Sequence, residues 1–191
     1  MAKLRYLAIH ATDTFKDMTV TKAMLECWHK GPLDMDAGKV KYLGKIYPSR
    51  RALPKEMQGG VAIAKLQGRG WDRLGYYAII HRDGKMEVLT PNNLDNEITS
   101  DEMTWGIAGI NSQAIHVVLE GGKGALSEFN QHFTPAQDEE LFSFCKLMIL
   151  RHPEILIIGH NQKSEKTCPG FSVYEWLMDH GIASWGTRKR L

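Results

Sequence analysis

A four-residue apolar run, from Ile155 to Ile158, stops abruptly at a polar stretch that extends from Gly159 to Gly170. A run this short, rich in isoleucine and followed by glycine, predicts a buried β-strand. The polar side chains should therefore emerge together at the end of that strand, where functional sites form. A second run, from Arg5 to Ile9, also reads as a strand, and it ends at His10.

Three side chains at these two places are of the kinds that bind zinc: His10, His160 and Cys168. A catalytic zinc site uses three protein ligands and leaves one position for water. Lys166 would lie beside whatever such a metal activates. Spacing alone leaves a second interpretation open, a buried cysteine and a loop histidine, because recognised zinc motifs place His and Cys closer together.

The chain has 191 residues, 43% of them hydrophobic, which suits one domain with a substantial core. Its net charge of +2 gives no electrostatic reason to expect nucleic acid or a membrane as a partner. We expect a monomer.

The cysteines are three in number, and Cys27 and Cys145 fall within helical patterns. A disulfide framework is therefore not expected, a reducing compartment is favoured, and we interpret these two cysteines as core and Cys168 as a ligand. The first residues show no signal-peptide pattern, and no apolar run approaches the roughly 20 residues that span a bilayer. We expect cytoplasmic synthesis without a signal peptide.

Predicted strands and helices alternate along the chain. The turn Asp83-Gly84 joins two strands, 75–82 and 85–90, in the clearest hairpin. Thr134 and Pro135 begin an amphipathic helix that ends near His152. The other predicted elements are a helix capped by Thr19 that ends near Lys30, a strand at 114–120, a loop at 123–133 and a last helix from Val173 to His180. This order predicts an α/β fold with a central mixed β-sheet and helices packed on its faces.

Residues 31–70 interrupt the alternation. They are rich in Gly, Pro and Lys and carry eight basic and three acidic residues, which gives this segment a net charge of +5. The rest of the chain then has a net charge of −3. A connection of this length within a compact domain is usually functional or mobile. A solvated loop without a function is an equally weighted interpretation. Within it, Val61 to Ala64 could form a short element. We expect one domain over residues 1–191 with a basic insertion at about 31–70.

Five sequence fragments occur in the same order as in a known protein family. They are Leu7-Ala8-Ile9-His10, Trp28-His29-Lys30, the segment from Gly75 to Gly84, Phe133-Thr134-Pro135-Ala136-Gln137, and Gly159-His160 with the segment from Lys166 to Phe171. Together they resemble the zinc-dependent N-acetylmuramoyl-L-alanine amidases, a family that includes small phage endolysins and the animal peptidoglycan-recognition proteins. The resemblance runs from about residue 5 to 180 and is silent over 31–70.

The resemblance implies a function and a set of roles. His10, His160 and Cys168 match the zinc ligands, and Tyr76 and Lys166 match the two positions that assist catalysis. The implied reaction is hydrolysis of the amide bond between N-acetylmuramic acid and L-alanine in peptidoglycan, with a water whose pKa zinc lowers to about 7. An endolysin of this kind acts on the cell wall after release. Read without the resemblance, Lys166 is a solvated lysine and Tyr76 a core tyrosine.

Three positions depart from the family pattern. The segment Trp105-Gly106-Ile107 stands where many relatives have a histidine in the loop after a tryptophan. Val118 stands where some have a catalytic glutamate, and Ser172 where an aspartate is common. The glutamate-dependent mechanism is therefore not expected here. We interpret the remaining histidines as structural (His29, His81, His116) or as surface residues (His132, His152, His180).

Two other functions remain open at this point. The chain could be a recognition module that binds peptidoglycan fragments without cutting them, although such modules typically lose a metal ligand and this chain keeps all three. It could also be a regulator that binds another protein, for which the sequence offers no evidence in either direction.

Overall fold

The computed structural model describes residues 1–53 and 67–188, so the short element predicted at Val61–Ala64 lies outside the described residues. The chain divides into two compact units. We call Met1–Thr19 with Tyr76–Leu191 the main unit and Val20–Gly75 the inserted unit. None of the described helices is long and apolar enough to cross a membrane.

The described strands and α-helices have the following bounds. The strands are β1 (Ala2–Lys3), β2 (Tyr6–Ala11), β3 (Leu33–Asp34), β4 (Val40–Tyr42), β5 (Lys45–Tyr47), β6 (Ala78–Ile80), β7 (Met86–Val88), β8 (Glu97–Ile98), β9 (Ala114–Leu119) and β10 (Leu156–Gly159). The helices are α1 (Lys22–Lys30), α2 (Phe129–His132), α3 (Pro135–Arg151) and α4 (Val173–Asp179).

The main unit is built on a five-stranded sheet with the order β10-β2-β9-β6-β7. The first four strands are parallel to their neighbours, and β7 is antiparallel to β6, so the sheet is mixed as predicted. Every residue of β9 is buried, and so is every residue of β2 after Tyr6. Apart from one histidine in each, His10 and His116, both strands are mainly apolar, as strands buried on both faces are.

Helix α3 begins with the predicted cap. The Thr134 hydroxyl accepts the Gln137 amide N–H at 3.1 Å, and the Gln137 side-chain oxygen accepts the Thr134 N–H at 3.1 Å, which completes a capping box. Gln137 is fully buried, and its Nε2 donates to the carbonyls of Ile80 and Glu120. The cap therefore also fastens the helix to the ends of β6 and β9.

Some predicted boundaries were wrong. Strand β2 extends one residue beyond His10, and the cap of α1 is Thr21, whose hydroxyl accepts the Met24 N–H, in place of Thr19. Helix α2 occupies part of the predicted loop at 123–133. Frayed ends and single-turn helices carry too little periodicity to be placed from sequence.

Two of the histidines interpreted as surface residues are buried. The ring of His152 contacts Asn96 Oδ1 at 2.9 Å and the Leu94 carbonyl at 3.1 Å, and His132 Nε2 contacts the Ala125 carbonyl at 3.0 Å. These hydrogen bonds replace those that the rings would make with water, and they offset the free-energy cost of burying the two histidines. All three cysteines are free, with Cys145 buried and Cys27 half-buried.

The inserted unit contains regular structure where a long connection was expected. Helix α1 is followed by the antiparallel sheet β3-β4-β5, and Val40, Tyr42 and Leu53 form a small apolar cluster. Its return segment packs tightly on its start, because a Cβ on Gly68 would lie 2.4 Å from the Gly31 carbonyl oxygen. Strands of two or three residues are too short to show the alternation that reveals a strand.

Candidate metal centre

Strand register brings His10 and His160 together. Strand β10 lies parallel to β2 with Gly159 opposite Ile9. The residues that follow these two in sequence, His160 and His10, therefore lie at the same edge of the sheet. The two ring centroids are 4.8 Å apart in an edge-on arrangement, and both side chains are buried. The two predicted strand ends are therefore neighbours.

Cys168 returns to this edge from the loop after β10. The Asn161 N–H donates to the Cys168 carbonyl at 2.7 Å, and the Ala11 N–H donates to the Cys168 sulfur at 3.3 Å. The sulfur lies 3.9 Å from His10 Nδ1. Backbone N–H groups of β2 and of the turn after β10 thus set the position of Cys168 beside the first histidine.

The three candidate ligand atoms, from His10, His160 and Cys168, all lie within 4.8 Å of one another. Within residues 1–53 and 67–188, no other group of three or more His, Cys, Asp or Glu side chains could hold a metal ion. Two imidazoles and one thiol are a donor set that fits Zn²⁺, with a coordination position left over.

The protein by itself holds the thiol protonated. Burial raises the pKa of Cys168 to about 11, although the Ala11 N–H and the charge of Lys166 act in the opposite direction. A divalent cation at this point would favour the thiolate, since coordinating thiols are deprotonated outright. A metal ion that binds here would therefore have to displace the thiol proton.

The two predicted catalytic residues lie beside these ligands. The Tyr76 ring is 5.1 Å from the His10 ring and tilted against it, and the side chain is partly exposed. Lys166 is exposed, and its charge acts on the Cys168 thiol. A partly exposed tyrosine and an exposed lysine therefore neighbour the candidate ligands.

Sequence reasoning missed one residue of this site, His116, which was interpreted as structural. Its Nδ1 lies 3.0 Å from His10 Nε2, and its ring is fully buried. In the register of β2 and β9, His116 pairs with Ala8, which makes it the diagonal neighbour of His10. The strand was predicted, but its register against β2 was not, so this contact had no signal in the sequence.

Comparison with known proteins identifies relatives of the chain. No family profile matches it. It is 32% identical over 110 residues to the endolysin of Escherichia phage T7, an alignment that covers 56% of this chain and 66% of that protein, just under two thirds. It is 30% identical over 120 residues to the endolysin of Klebsiella phage KP32, covering 59% of this chain and 74% of that protein.

Solved structures resemble nearly all of the chain, at lower identity. The N-acetylmuramoyl-L-alanine amidase LysC from Clostridium intestinale URNW superposes with a TM-score of 0.52 at 14% identity, covering 95% of this chain and 87% of that one. The Drosophila protein PGRP-LB gives a TM-score of 0.53 at 14% identity, covering 95% and 84%. At such identities the likeness is one of fold.

Proposed function

This chain belongs to the N-acetylmuramoyl-L-alanine amidase family that includes phage endolysins and peptidoglycan-recognition proteins, and from that premise we propose that it hydrolyses the amide bond between N-acetylmuramic acid and L-alanine in peptidoglycan. One observation carries the proposal: the ligand atoms of His10, His160 and Cys168 converge within 4.8 Å. A module that only binds peptidoglycan has no use for a complete set of ligands, so their retention favours hydrolysis over recognition.

In this proposal, His10, His160 and Cys168 hold a zinc ion. When bound, zinc lowers the pKa of a coordinated water to about 7 and polarises the substrate carbonyl. The protein residues supply the orientation: Cys168 is fixed by the N–H of Ala11, and His160 by the register of β10. The partner is peptidoglycan, and the place of action is the cell wall after release.

Lys166 and Tyr76 are the proposed catalytic residues. As the amide carbonyl is attacked, negative charge develops on its oxygen. The Lys166 ammonium and the Tyr76 hydroxyl are the hydrogen-bond donors that can stabilise this charge. Removing one such donor elsewhere costs about 3 to 4 kcal/mol of transition-state stabilisation. The exposure of Lys166 and the partial exposure of Tyr76 suit groups that must reach a polymeric substrate.

Mass spectrometry of digested peptidoglycan tests this function. Purified sacculi treated with the protein should release stem peptides with new alanine amino termini and no new reducing sugars. Cys168→Ala serves as the matched control, since it removes one proposed ligand and should release nothing. New reducing ends in place of new amino termini would mean a glycosidase, and no products at all with zinc-loaded protein would favour a recognition module.

A further inference from the structure

His116 carries the one buried side-chain nitrogen or oxygen, Nε2, that has no hydrogen-bond partner among the described residues. Its ring is fully buried in the middle of β9, in a strand that is otherwise apolar. An unpaired buried polar group costs about 1 to 3 kcal/mol. A leucine here would avoid that cost, so the histidine must contribute something that an apolar side chain cannot.

The other ring nitrogen makes that contribution. His116 Nδ1 lies 3.0 Å from His10 Nε2, and this leaves His10 Nδ1 as the nitrogen that faces Cys168 Sγ, at 3.9 Å. A nitrogen that binds a metal must offer a lone pair, so the His10 proton belongs on Nε2. His116 Nδ1 must then accept the hydrogen bond from the His10 Nε2–H, and the proton of the neutral His116 ring must lie on Nε2, the atom without a partner.

The surroundings hold the His116 ring in this orientation. A Cβ on Gly106 would lie 2.3 Å from His116 Nδ1 and 2.5 Å from its Cγ, so the ring packs directly on the glycine backbone. The Tyr77 N–H donates to the His116 carbonyl at 2.7 Å, which fixes the backbone from the side of β6. Any side chain at position 106 would collide with the ring, and only glycine leaves it room.

We propose that His116 is a positioning residue of the metal centre. It accepts a hydrogen bond from the Nε2–H of His10 and so holds His10 in the tautomer and orientation that present Nδ1 to the metal. Metal-binding histidines usually donate their second N–H to a carboxylate, a carbonyl or water; in this chain a neutral imidazole takes that place. The proposal rests on the proposed function only in requiring that His10 binds a metal.

Zinc affinity, measured by competition with a chromophoric chelator, tests the proposal without use of activity. His116→Leu removes the acceptor and should weaken zinc binding about 10-fold to 100-fold, the range seen when such outer partners of ligands are lost. His116→Asn restores an acceptor at the depth of Nδ1 and should bind within a few-fold of the parent. His152→Leu is the control, since it removes another buried histidine that lies outside the metal centre.

The outcomes separate this inference from the proposed function. If the parent protein binds no zinc, the proposed function fails. If the parent binds zinc and His116→Leu binds it equally well, or loses no more affinity than His152→Leu, the positioning role is wrong. Should His116→Leu not fold, ¹⁵N NMR of the zinc-loaded parent decides: protons on Nε2 of both His10 and His116 support the inference, and a proton on Nδ1 of either overturns it.

Discussion

Among the candidate ligands, Cys168 is the residue on which metal binding should depend most. It is the only sulfur of the candidate centre, and burial keeps it protonated unless a cation binds. We expect the purified protein to contain about one zinc, to lose activity to a chelator and to regain it when zinc is returned. Cys168→Ala should abolish binding, and Cys27→Ala should not. Metal analysis by mass spectrometry checks this; full activity after verified zinc removal would contradict it.

Substitutions at Lys166 and Tyr76 should lower the catalytic rate without lowering metal binding, because neither side chain belongs to the group of proposed ligands. Lys166→Ala and Tyr76→Phe should keep zinc and fold while losing roughly 10-fold to 1,000-fold in kcat/KM. Lys163→Ala is a suitable control, since Lys163 lies over the Tyr6 ring. Turnover of soluble muropeptides gives the rates. Parental rates in both variants would make Lys166 a solvated lysine and Tyr76 a packing residue.

His29 should make stability depend on pH. Burial lowers its pKa from 6.5 to about 4, with the charges of Arg69 and Lys30 acting in the same direction, and its Nδ1 accepts the Gly75 N–H. Above pH 6.5 the ring is neutral in both states and stability is unaffected. As the pH falls from 6.5 to 4, His29 becomes protonated in the unfolded chain but stays neutral in the folded chain, so the free energy of unfolding decreases. Urea unfolding across this window should show a shallower loss for His29→Asn, and equal slopes would contradict the assignment.

At the scale of elements, what could be predicted depended on length and on caps. Helix α3 was predicted because Thr134 and Pro135 mark its start and apolar residues such as Leu141, Cys145 and Met148 recur at helical spacing over its seventeen residues. Strand β9 was predicted because a run of mostly apolar, β-branched residues stops at Gly121-Gly122, and all six residues of the strand are buried in the structure. Strands β3, β4 and β5 were missed, since two or three residues carry no measurable period.

The same reasoning explains which site residues were found. His10, His160, Cys168 and Lys166 could be singled out because they lie at or after the ends of two recognisable strands. The resemblance to amidases added Tyr76 and the assignment of roles. The contact between His10 and His116 depends on how β2 and β9 align, and a parallel register across about a hundred residues of chain has no local signal.

The capping box of α3 should contribute measurably to stability. Thr134→Ala removes the acceptor for the Gln137 N–H and also the hydrogen bond from Thr134 Oγ1 to the Arg82 carbonyl, at 2.7 Å. We expect a loss of about 1 to 2 kcal/mol in the free energy of unfolding. Thr134→Ser keeps the hydroxyl and should lose much less. Urea unfolding distinguishes the two; equal losses would show that the methyl group, not the cap, matters.

At the scale of the whole molecule, charge is divided unevenly between the two units. Residues 20–75 contain eleven basic and five acidic residues, a charge of +6, which leaves −4 for the rest of a chain whose total is +2. Peptidoglycan stem peptides carry carboxylates. A basic unit on an otherwise acidic protein should therefore attract the substrate over a range set by ionic strength, about 10 Å at 0.1 M salt.

Neutralising exposed cations of the inserted unit tests whether this attraction serves catalysis. Replacing Lys39, Lys45 and Arg51 by glutamine should raise the apparent KM at low salt and flatten its salt dependence, because these side chains are exposed and their attraction is screened. The control removes the same charge from the main unit, at the exposed residues Lys16, Lys85 and Lys146. Zinc content and kcat should stay unchanged in both. If the two variants behave alike at low and physiological salt, the position of the charge has no role and the basic residues are merely solvated.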